Sequence, residues 1–245
     1  MTAAAARPGV PSDVKAVIFD FYGTLVRMVP PLPPSHASVF RRLGLAEYAE
    51  AWGDQWATGP RDGEDHLAAS ADEDTYRAWE VGRLRRLAVE RGIPGPAAGP
   101  LATELDRANK RLRIALFDDV TAALTRLRGH GLRVALCSNW FWDLDRAVAD
   151  VGLTGLIDAT VTSARVGARK PHPRIYRAAL DAVGTAPGET LFVGDMWEAD
   201  VVGPLAQGMR AVHLWRPDRA VEGQAPPLPG RAHRITSLHS LPALL

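Results

Sequence analysis

Cysteine is almost absent from this chain: Cys137 is the only one among 245 residues. A single thiol excludes an internal disulfide and is typical of proteins that fold in a reducing compartment. Cys137 lies in an apolar run, so we interpret it as a core residue rather than as a nucleophile. An excess of charge of one sign is also absent, since the formal net charge is +1 at pH 7. The chain therefore offers no electrostatic basis for binding nucleic acid.

Long apolar runs are missing as well. No stretch reaches the roughly 20 apolar residues that a membrane-spanning helix needs, and the Ala-rich residues 1–12 lack the apolar core of a signal peptide. We therefore expect a soluble, cytoplasmic protein that does not bind a membrane, with residues 1–12 forming a disordered lead. Lysine is scarce too, because only Lys15, Lys110 and Lys170 occur beside many arginines. A lysine near any candidate site is therefore informative.

Apolar residues make up 47% of the chain, enough for a sizeable core in one large domain or in a domain with an insertion. Residues 13–20 are predicted to form the first strand, because the apolar run Ala16 to Phe19 is typical of a buried parallel strand and stops at Asp20. Gly23 then allows a sharp turn before Thr24. Since ligands bind at the carboxyl ends of strands in open α/β sheets, Asp20 is a candidate functional residue. The alternative is that Asp20 only caps a following helix.

After Leu25 the pattern becomes helical. Four prolines between positions 30 and 34 mark a linker, and no convincing strand follows until about residue 115. The apolar periodicity predicts one helix capped by Ser35 and three more over residues 46–57, 72–91 and 100–114. Four helices between one strand and the next are expected to form an inserted helical module.

Strands and helices then alternate along the rest of the chain. Apolar runs predict strands at residues 133–137, 159–162, 190–193 and 211–215. Amphipathic patterns predict helices at residues 119–129, 144–152, 173–183 and 200–208. A last strand and a short helix are expected from residue 232 onward. This alternation predicts a parallel sheet with helices on both faces.

Three of the predicted strands end in polar residues, which are Asp20, Ser138 and Asp195. Lys170 lies on the loop after a fourth strand, so a parallel sheet brings all four residues to one edge. Asp200 adds a further acid shortly after Asp195, and carboxylates this close require a cation or a shared proton. Mg²⁺ binds through one or two carboxylates together with waters and substrate phosphate. The pattern therefore predicts a site for an anionic group beside a metal, with Asp20 free to attack it.

These segments resemble the four signature motifs of the haloacid dehalogenase superfamily of hydrolases. The first is Asp-Phe-Tyr-Gly-Thr at residues 20–24, and the second is Ser138 with Asn139 after an apolar strand. The third begins with Lys-Pro-His-Pro at residues 170–173, and the fourth contains Gly-Asp-Met-Trp-Glu-Ala-Asp at residues 194–200. Their order and joint occurrence make the resemblance specific.

The resemblance implies an α/β fold, with a Rossmann-like parallel-sheet core at residues 13–26 plus 117–245. It also implies an inserted helical cap domain, which the helical module at residues 27–116 fits. Asp20 takes the place of the nucleophile, and the other candidate catalytic residues are Tyr22, Ser138 and Lys170. Mg²⁺ is expected on the carboxylates of Asp20 and Asp195 and the backbone carbonyl of Tyr22, with Asp200 as a further candidate ligand. Candidate substrate contacts are Thr24, Asn139 and Trp140.

One position departs from the phosphatases of this superfamily. They usually carry a second Asp two residues after the nucleophile, as general acid and base, whereas this chain has Tyr22. A tyrosine is a poor base at neutral pH. The Asp-x-Tyr-Gly-Thr form is typical of the 2-haloacid dehalogenases, which attack carbon and use no metal. Their cap supplies an Arg near the position of Ala51, for which Arg41, Arg42 and Arg61 are the available substitutes.

The fourth motif points the other way, because those dehalogenases usually have Ser-Ser where this chain has Gly194 and Asp195. An unneutralised Asp195 repels both the carboxylate substrate and the halide product. When Mg²⁺ neutralises Asp195, the site attracts a phosphate dianion. We therefore favour a Mg²⁺-dependent phosphatase that acts on a small phosphate ester through an aspartyl-phosphate, as a monomer or homodimer. Two alternatives stay open: a 2-haloacid dehalogenase, and a non-catalytic binding or regulatory protein on this fold.

Overall fold

The structure is a computed structural model in which residues 13–54, 56–217 and 225–245 are described. The predicted disordered lead at residues 1–12 lies outside the described residues. The described ranges contain eight strands: β1 Ala16–Phe19, β2 Val26–Met28, β3 Ile114–Leu116, β4 Arg133–Ser138, β5 Ala159–Thr162, β6 Thr190–Gly194, β7 Arg210–Leu214 and β8 Ala232–Ile235. They also contain nine α-helices: α1 His36–Arg42, α2 Ala49–Trp52, α3 Glu73–Glu90, α4 Gly95–Asn109, α5 Val120–Gly129, α6 Leu144–Asp150, α7 Ser163–Val166, α8 Pro173–Val183 and α9 Gly203–Ala206. Within those ranges, none of the helices combines the length and hydrophobicity that crossing a bilayer requires.

Six of the strands form one parallel sheet with the order β5–β4–β1–β6–β7–β8. Strand β1 lies between β4 and β6, so that Phe19 is opposite Leu136 on one side and Val193 on the other. Parallel neighbours need crossover connections, which the helices between successive strands provide. The predicted α/β fold with a Rossmann-like core is confirmed.

Alternate residues of β1 point to opposite faces of the sheet, and each face has its own core. Val17 and Phe19 belong to a cluster that includes α5 and α6, while Ala16 and Ile18 belong to a cluster that includes α8. All four side chains are fully buried, which explains why β1 is apolar throughout rather than alternating. Asp20 is the first polar residue after this strand, and it therefore marks the edge of the sheet.

Helices α1 to α4 lie between β2 and β3 and form a separate core. Buried members of that core are Val39, Phe40, Trp52, Leu84, Leu101 and Leu105. Two helix starts follow from the sequence, because Ser35 accepts a hydrogen bond from the Ser38 N–H before α1 and Asp72 accepts one from the Thr75 N–H before α3. The boundaries of a cap domain at residues 27–116 stay a prediction.

Two predicted helices in this region have different bounds in the structure. The one expected over residues 46–57 is a 3₁₀ turn, Ala46–Tyr48, followed by α2, and it ends before Gly53, whose φ is +81°. The one expected over residues 100–114 is α4, which starts earlier and ends at Asn109. Pro96 lies in the first turn of α4, where a proline is compatible with a helix.

A two-stranded antiparallel sheet joins the helical region to the rest of the chain. Strand β2 pairs with β3, so that Val26 is opposite Leu116 and Met28 is opposite Ile114. Neither strand is predicted from the sequence, where the helix expected over residues 100–114 extends to Ile114, the first residue of β3. Strands of three residues carry too short a pattern to be recognised, and their pairing depends on tertiary context.

The segment after β6 also differs from its prediction. A π-helix, Trp197–Val202, precedes α9, where the sequence predicts one helix over residues 200–208. A π-helical turn contains more residues than an α-helical turn and often occurs at functional sites. Here it lies directly after the end of β6 and carries Asp200.

Candidate active site

Four side chains meet at the carboxyl edge of the sheet. Asp20 follows β1, Ser138 ends β4, Asp195 follows β6, and Lys170 lies on the loop between α7 and α8. Asp20 Oδ1 accepts hydrogen bonds from Ser138 Oγ at 2.9 Å and from Lys170 Nζ at 2.8 Å. The structure therefore brings together residues that the sequence placed on separate strands and loops.

Lys170 is the charged centre of this group. Its side chain is 2% exposed, and Nζ donates to Asp20 Oδ1 and, at 2.6 Å, to Asp200 Oδ1. Burial by itself favours the neutral amine, but the two carboxylates outweigh it and hold the pKa of Lys170 above its ordinary value. Lys170 is therefore a permanent positive charge beside Asp20.

Asp200 is fully buried, and both of its oxygens are engaged. Oδ1 accepts from Lys170, and Oδ2 accepts from the backbone N–H of Met196 at 2.9 Å. Burial raises the pKa of Asp200 to about 7, although the charge of Lys170 acts in the opposite direction. Asp200 therefore anchors the lysine to the π-helix.

Asp195 is held by two further contacts. Its Oδ1 accepts a hydrogen bond from Thr24 Oγ1 at 3.1 Å, and its backbone carbonyl lies 3.2 Å from His213 Nε2. Thr24 is fully buried. The structure therefore places this predicted substrate contact where it orients Asp195.

His213, on β7, is a site residue that the sequence did not indicate. Arg234 Nε donates to His213 Nδ1 at 3.1 Å. Because Nδ1 accepts, Nε2 carries the proton and donates it to the Asp195 carbonyl. His213 lies opposite Gly194 in the sheet register, so a histidine within this apolar strand was the available signal.

The three carboxylates are close enough to share a cation. One oxygen each from Asp20, Asp195 and Asp200 lies within 4.8 Å of the others. Lys170 supplies only one positive charge, so the group is unfavourable in its fully ionised form without a further cation. Carboxylate oxygens are the ligands that Mg²⁺ prefers. The residues present therefore fit a Mg²⁺ site. Of the three carboxylates, Asp200 also accepts a hydrogen bond from Lys170 through Oδ1.

The side chain of Asn139 forms two hydrogen bonds with the backbone of Lys170. Its Oδ1 accepts from the Lys170 N–H at 2.7 Å, and its Nδ2 donates to the Lys170 carbonyl at 3.1 Å. This two-point contact fixes the start of the third motif against the end of β4. Asn139 therefore positions Lys170 whether or not it also touches a substrate.

A cavity of about 730 Å³ opens over these residues. From the sheet edge it is lined by Asp20, Tyr22, Ser138, Asn139, Trp140, Lys170 and Asp195. From the helical region it is lined by Trp56, Tyr76, Glu80 and Arg83, among others. The rings of Tyr22 and Trp56 lie 5.9 Å apart. The cavity is therefore lined by both the sheet edge and the helical region, with Asp20 in its wall.

Of the three arginines that the sequence suggested, two lie outside the cavity. Arg41 and Arg42 are exposed, and Arg42 pairs with Glu104, so only Arg61 of the three candidates lines the cavity. Arg83 and Arg169 line it as well. Sequence reasoning missed both, because neither stands at a motif position to which a role had been assigned.

Cys137 behaves as the sequence predicts. Its side chain is fully buried in β4, and burial raises the pKa of its thiol to about 12. Since the thiolate is the nucleophilic form, this cysteine is a core residue.

Comparison with known proteins agrees with this geometry. A family model described as haloacid dehalogenase-like hydrolase matches residues 14–208. The chain is 34% identical over 196 residues to a phosphoserine phosphatase of Thermus thermophilus, covering 78% of this chain and 76% of that protein. Its fold is similar to that of a HAD phosphatase from Thermococcus onnurineus, with a TM-score of 0.62 at 21% identity over 94% of this chain and 97% of that one. It is also similar to that of a 2-haloacid dehalogenase from Pseudomonas syringae, with a TM-score of 0.58 at 23% identity over 94% and 97%.

The two solved structures share the fold and do not separate the two chemistries. The family match spans the sheet from β1 to the segment after β6, and with it all four motif segments. The residues at the sheet edge are the ones that those motifs contain. This chain therefore belongs to the haloacid dehalogenase-like hydrolases.

Proposed function

We propose that this protein is a Mg²⁺-dependent phosphatase that transfers the phosphoryl group of a small phosphate ester to Asp20 and then to water. The observation that carries the proposal is the set of carboxylate oxygens from Asp20, Asp195 and Asp200 within 4.8 Å of one another, beside buried Lys170. A cation stabilises the ionised form of such a set, and together with Lys170 it attracts a phosphate dianion. The name of the relative from Thermus thermophilus, phosphoserine phosphatase, supports a phosphate ester as substrate.

Asp20 is the nucleophile in this proposal. Both hydrogen bonds to its side chain end on Oδ1, from Ser138 and Lys170. Within the described residues, Oδ2 is therefore the oxygen that receives no hydrogen bond and can attack phosphorus. The bond from phosphorus to the ester oxygen breaks as the new bond forms, and water then hydrolyses the aspartyl phosphate. Lys170 neutralises charge on Asp20 and on the phosphate throughout.

Asp20, Asp195 and the backbone carbonyl of Tyr22 would hold Mg²⁺, with Asp200 behind them. When bound, Mg²⁺ offsets the negative charge of these carboxylates and of the transferring phosphate. Thr24 keeps Asp195 in place for this purpose, since its hydroxyl donates to Oδ1. The helical region at residues 27–116 is the proposed cap that selects the leaving group, because Trp56 and other residues of that region line the same cavity as Asp20.

Tyr22 favours a second candidate, a 2-haloacid dehalogenase, because it occupies the position of the second Asp of phosphatases. That assignment leaves Asp195 without a purpose, because an unneutralised carboxylate beside Asp20 repels both a substrate carboxylate and a halide product. Tyr22 also motivates the third candidate, a binding or regulatory protein without turnover. The phosphatase accounts for more of the site than either alternative.

The test is a turnover screen of phosphate monoesters and 2-haloacids, each with Mg²⁺ and with excess EDTA. We expect phosphate release that requires Mg²⁺ and no halide release. Asp20→Asn should abolish turnover while the melting temperature stays equal or rises, because the amide is nearly isosteric but cannot attack. Halide release in EDTA supports the dehalogenase, and binding without turnover of any compound supports the third candidate.

A further inference from the structure

Two arginines of the cavity wall have no charged partner. Arg83 lies on α3, and Arg169 directly precedes Lys170; both line the cavity over Asp20. Across residues 13–54, 56–217 and 225–245, neither guanidinium forms an ion pair, and the Nε of each is buried without a hydrogen-bond partner. Arg83 makes a hydrogen bond from Nη1 to the Thr58 carbonyl, which neutralises none of its charge.

Both arginines are half-buried, and the Nε of each is shielded from solvent. Burial is the main reason that the pKa values of Arg83 and Arg169 are lowered, and the charge of Arg169 lowers that of Arg83 further. Buried charges in folded proteins are normally paired, because an isolated one loses its hydration without compensation. Two of them at the wall of a cavity therefore indicate a counter-charge that arrives with a ligand.

The neighbouring glutamates are already used by other groups. Glu80 lies 3.0 Å from Lys110 Nζ through Oε2 and accepts from Tyr76 at 3.2 Å through Oε1. Glu64 accepts from the backbone N–H of Arg61 at 2.7 Å. Both glutamates attract the two arginines through space without bonding to them. Within the described part of the chain, neither guanidinium is therefore in direct contact with a carboxylate.

The arginine pair is distinct from the phosphate end of the cavity. The charges that act on Lys170 are those of Asp20 and Asp200. Those that act on Arg169 come from acidic residues of the helical region, Asp62 among them. The consecutive residues Arg169 and Lys170 therefore interact with two different sets of charged groups. A ligand in this cavity can therefore contact both the nucleophile and the two guanidiniums.

We propose that the substrate carries a second anionic group, a carboxylate or a second phosphate, which Arg83 and Arg169 bind while its phosphate lies at Asp20. This rests on the proposed phosphatase function and narrows it to phosphate esters that carry a second anionic group. Guanidinium groups bind carboxylate and phosphate oxygens through paired N–H donors. Arg83 belongs to the helical region and Arg169 to the loop of Lys170. A second anion that contacts both arginines would therefore hold the helical region against that loop while the substrate is bound.

The test compares matched esters in one enzyme sample with Mg²⁺. 2-Phosphoglycolate is paired with ethyl phosphate, and propane-1,3-diol bisphosphate with propyl phosphate. We expect a higher kcat/KM for the member with the second anionic group in at least one pair. Arg83→Gln and Arg169→Gln should each lower that preference by about 10- to 100-fold, as expected for the loss of a hydrogen bond between charged groups. The ratio of two substrates is independent of the folded fraction, so a poorly folding variant still gives an answer.

Arg85→Gln is the matched control, because Arg85 is exposed on the same helix; it should leave the ratio unchanged. A preference in the first pair identifies a carboxylate, and one in the second pair identifies a phosphate. Equal rates within both pairs, or a preference that survives in both glutamine variants, overturns the second-anion site while the phosphatase stands. Phosphate release from p-nitrophenyl phosphate but from none of the four esters also overturns the second-anion site, and no release from any of the five compounds overturns the proposed function on which this site rests.

Discussion

Tyr22 lies two residues after Asp20 and lines the same cavity. If the protein is a phosphatase, no carboxylic acid at this position protonates the leaving oxygen. The native enzyme should therefore favour aryl phosphates, whose leaving groups need no proton. Tyr22→Asp should raise kcat/KM for alkyl phosphates by up to about 10²–10⁴-fold, while aryl phosphates change little. Rates for both ester classes, measured side by side, check this expectation.

Tyr22→Asn is the control for that experiment, since it removes the ring without adding an acidic proton. It should not produce the gain. If Tyr22→Asp leaves alkyl phosphate hydrolysis flat and abolishes a haloacid activity, the dehalogenase becomes the better assignment, because halide leaves without a proton.

Gly194 ends β6 where the carboxylate of Asp200 fills the space of a side chain. A Cβ at this position would lie 2.3 Å from Asp200 Cγ. Since Asp200 also holds Lys170 Nζ, moving it disturbs the charge beside Asp20. Gly194→Ala should lower the free energy of unfolding by about 1–3 kcal/mol and turnover by about tenfold or more. Urea denaturation and kcat measure the two effects.

The matched control is Gly188→Ala, because a Cβ at Gly188 has no atom within 4 Å. It should leave stability and turnover close to those of the native protein. Native turnover in Gly194→Ala would show that the site does not depend on the placement of Asp200.

At the scale of elements, the loop before α3 is docked on the loop that carries the lysine. The Gly63 N–H donates to the Lys170 carbonyl at 3.1 Å. Arg174 forms two hydrogen bonds to Asp65, each of 2.9 Å. These contacts hold the helical region at the site independently of its covalent connections.

Gly167 lies where these two loops come closest. A Cβ there would be 2.5 Å from Leu67 Cα, at a φ of +75°. Because the clash is with backbone, the docked loop must move. Gly167→Ala should cost about 1–3 kcal/mol of unfolding free energy from the clash, in addition to about 1–2 kcal/mol for the left-handed conformation. It should also raise KM, and denaturation with steady-state kinetics measures both.

Gly44→Ala isolates the backbone cost, since Gly44 has a φ of +71° and no atom within 4 Å of a built Cβ. Its KM should stay native. Equal losses of unfolding free energy in Gly167→Ala and Gly44→Ala would show that the added Cβ at residue 167 does not clash with Leu67.

The same elements show what a local pattern can predict. Helix α8, Pro173–Val183, has the predicted bounds, because His172 caps its start, Pro173 suits its first turn and Gly184 ends it in the left-handed conformation. Strands β2 and β3 carry no such signals. Each exists because its partner lies beside it, and the two are far apart in the sequence.

At the scale of the whole molecule, β2 and β3 bring the two connections of the helical region side by side, with Met28 opposite Ile114. Residues 30–112 could therefore be replaced by a short turn that leaves the parallel sheet intact. The shortened protein should still bind Mg²⁺ but should lose selectivity among phosphate esters, because the cavity loses Trp56, Tyr76 and Arg83. Circular dichroism checks the fold, and kcat/KM over a substrate panel checks selectivity. Unchanged selectivity would contradict the proposed cap function.

By itself the sequence determined where the reactive edge of the sheet lies. Apolar runs stop at Asp20, Ser138 and Asp195, and burial on both faces of a parallel sheet makes such runs visible in the sequence. The chemistry of those end residues, together with Lys170, was also readable, because each belongs to a short contiguous motif.

Only the tertiary structure decided what surrounds that edge. It placed Thr24 against Asp195, brought His213 to the Asp195 carbonyl, and set Arg83 beside Arg169 in one cavity. These contacts join residues that are distant along the chain, and they depend on how separate elements pack. A local sequence pattern reports periodicity and caps within one element, so it holds no information about which side chains of different elements meet.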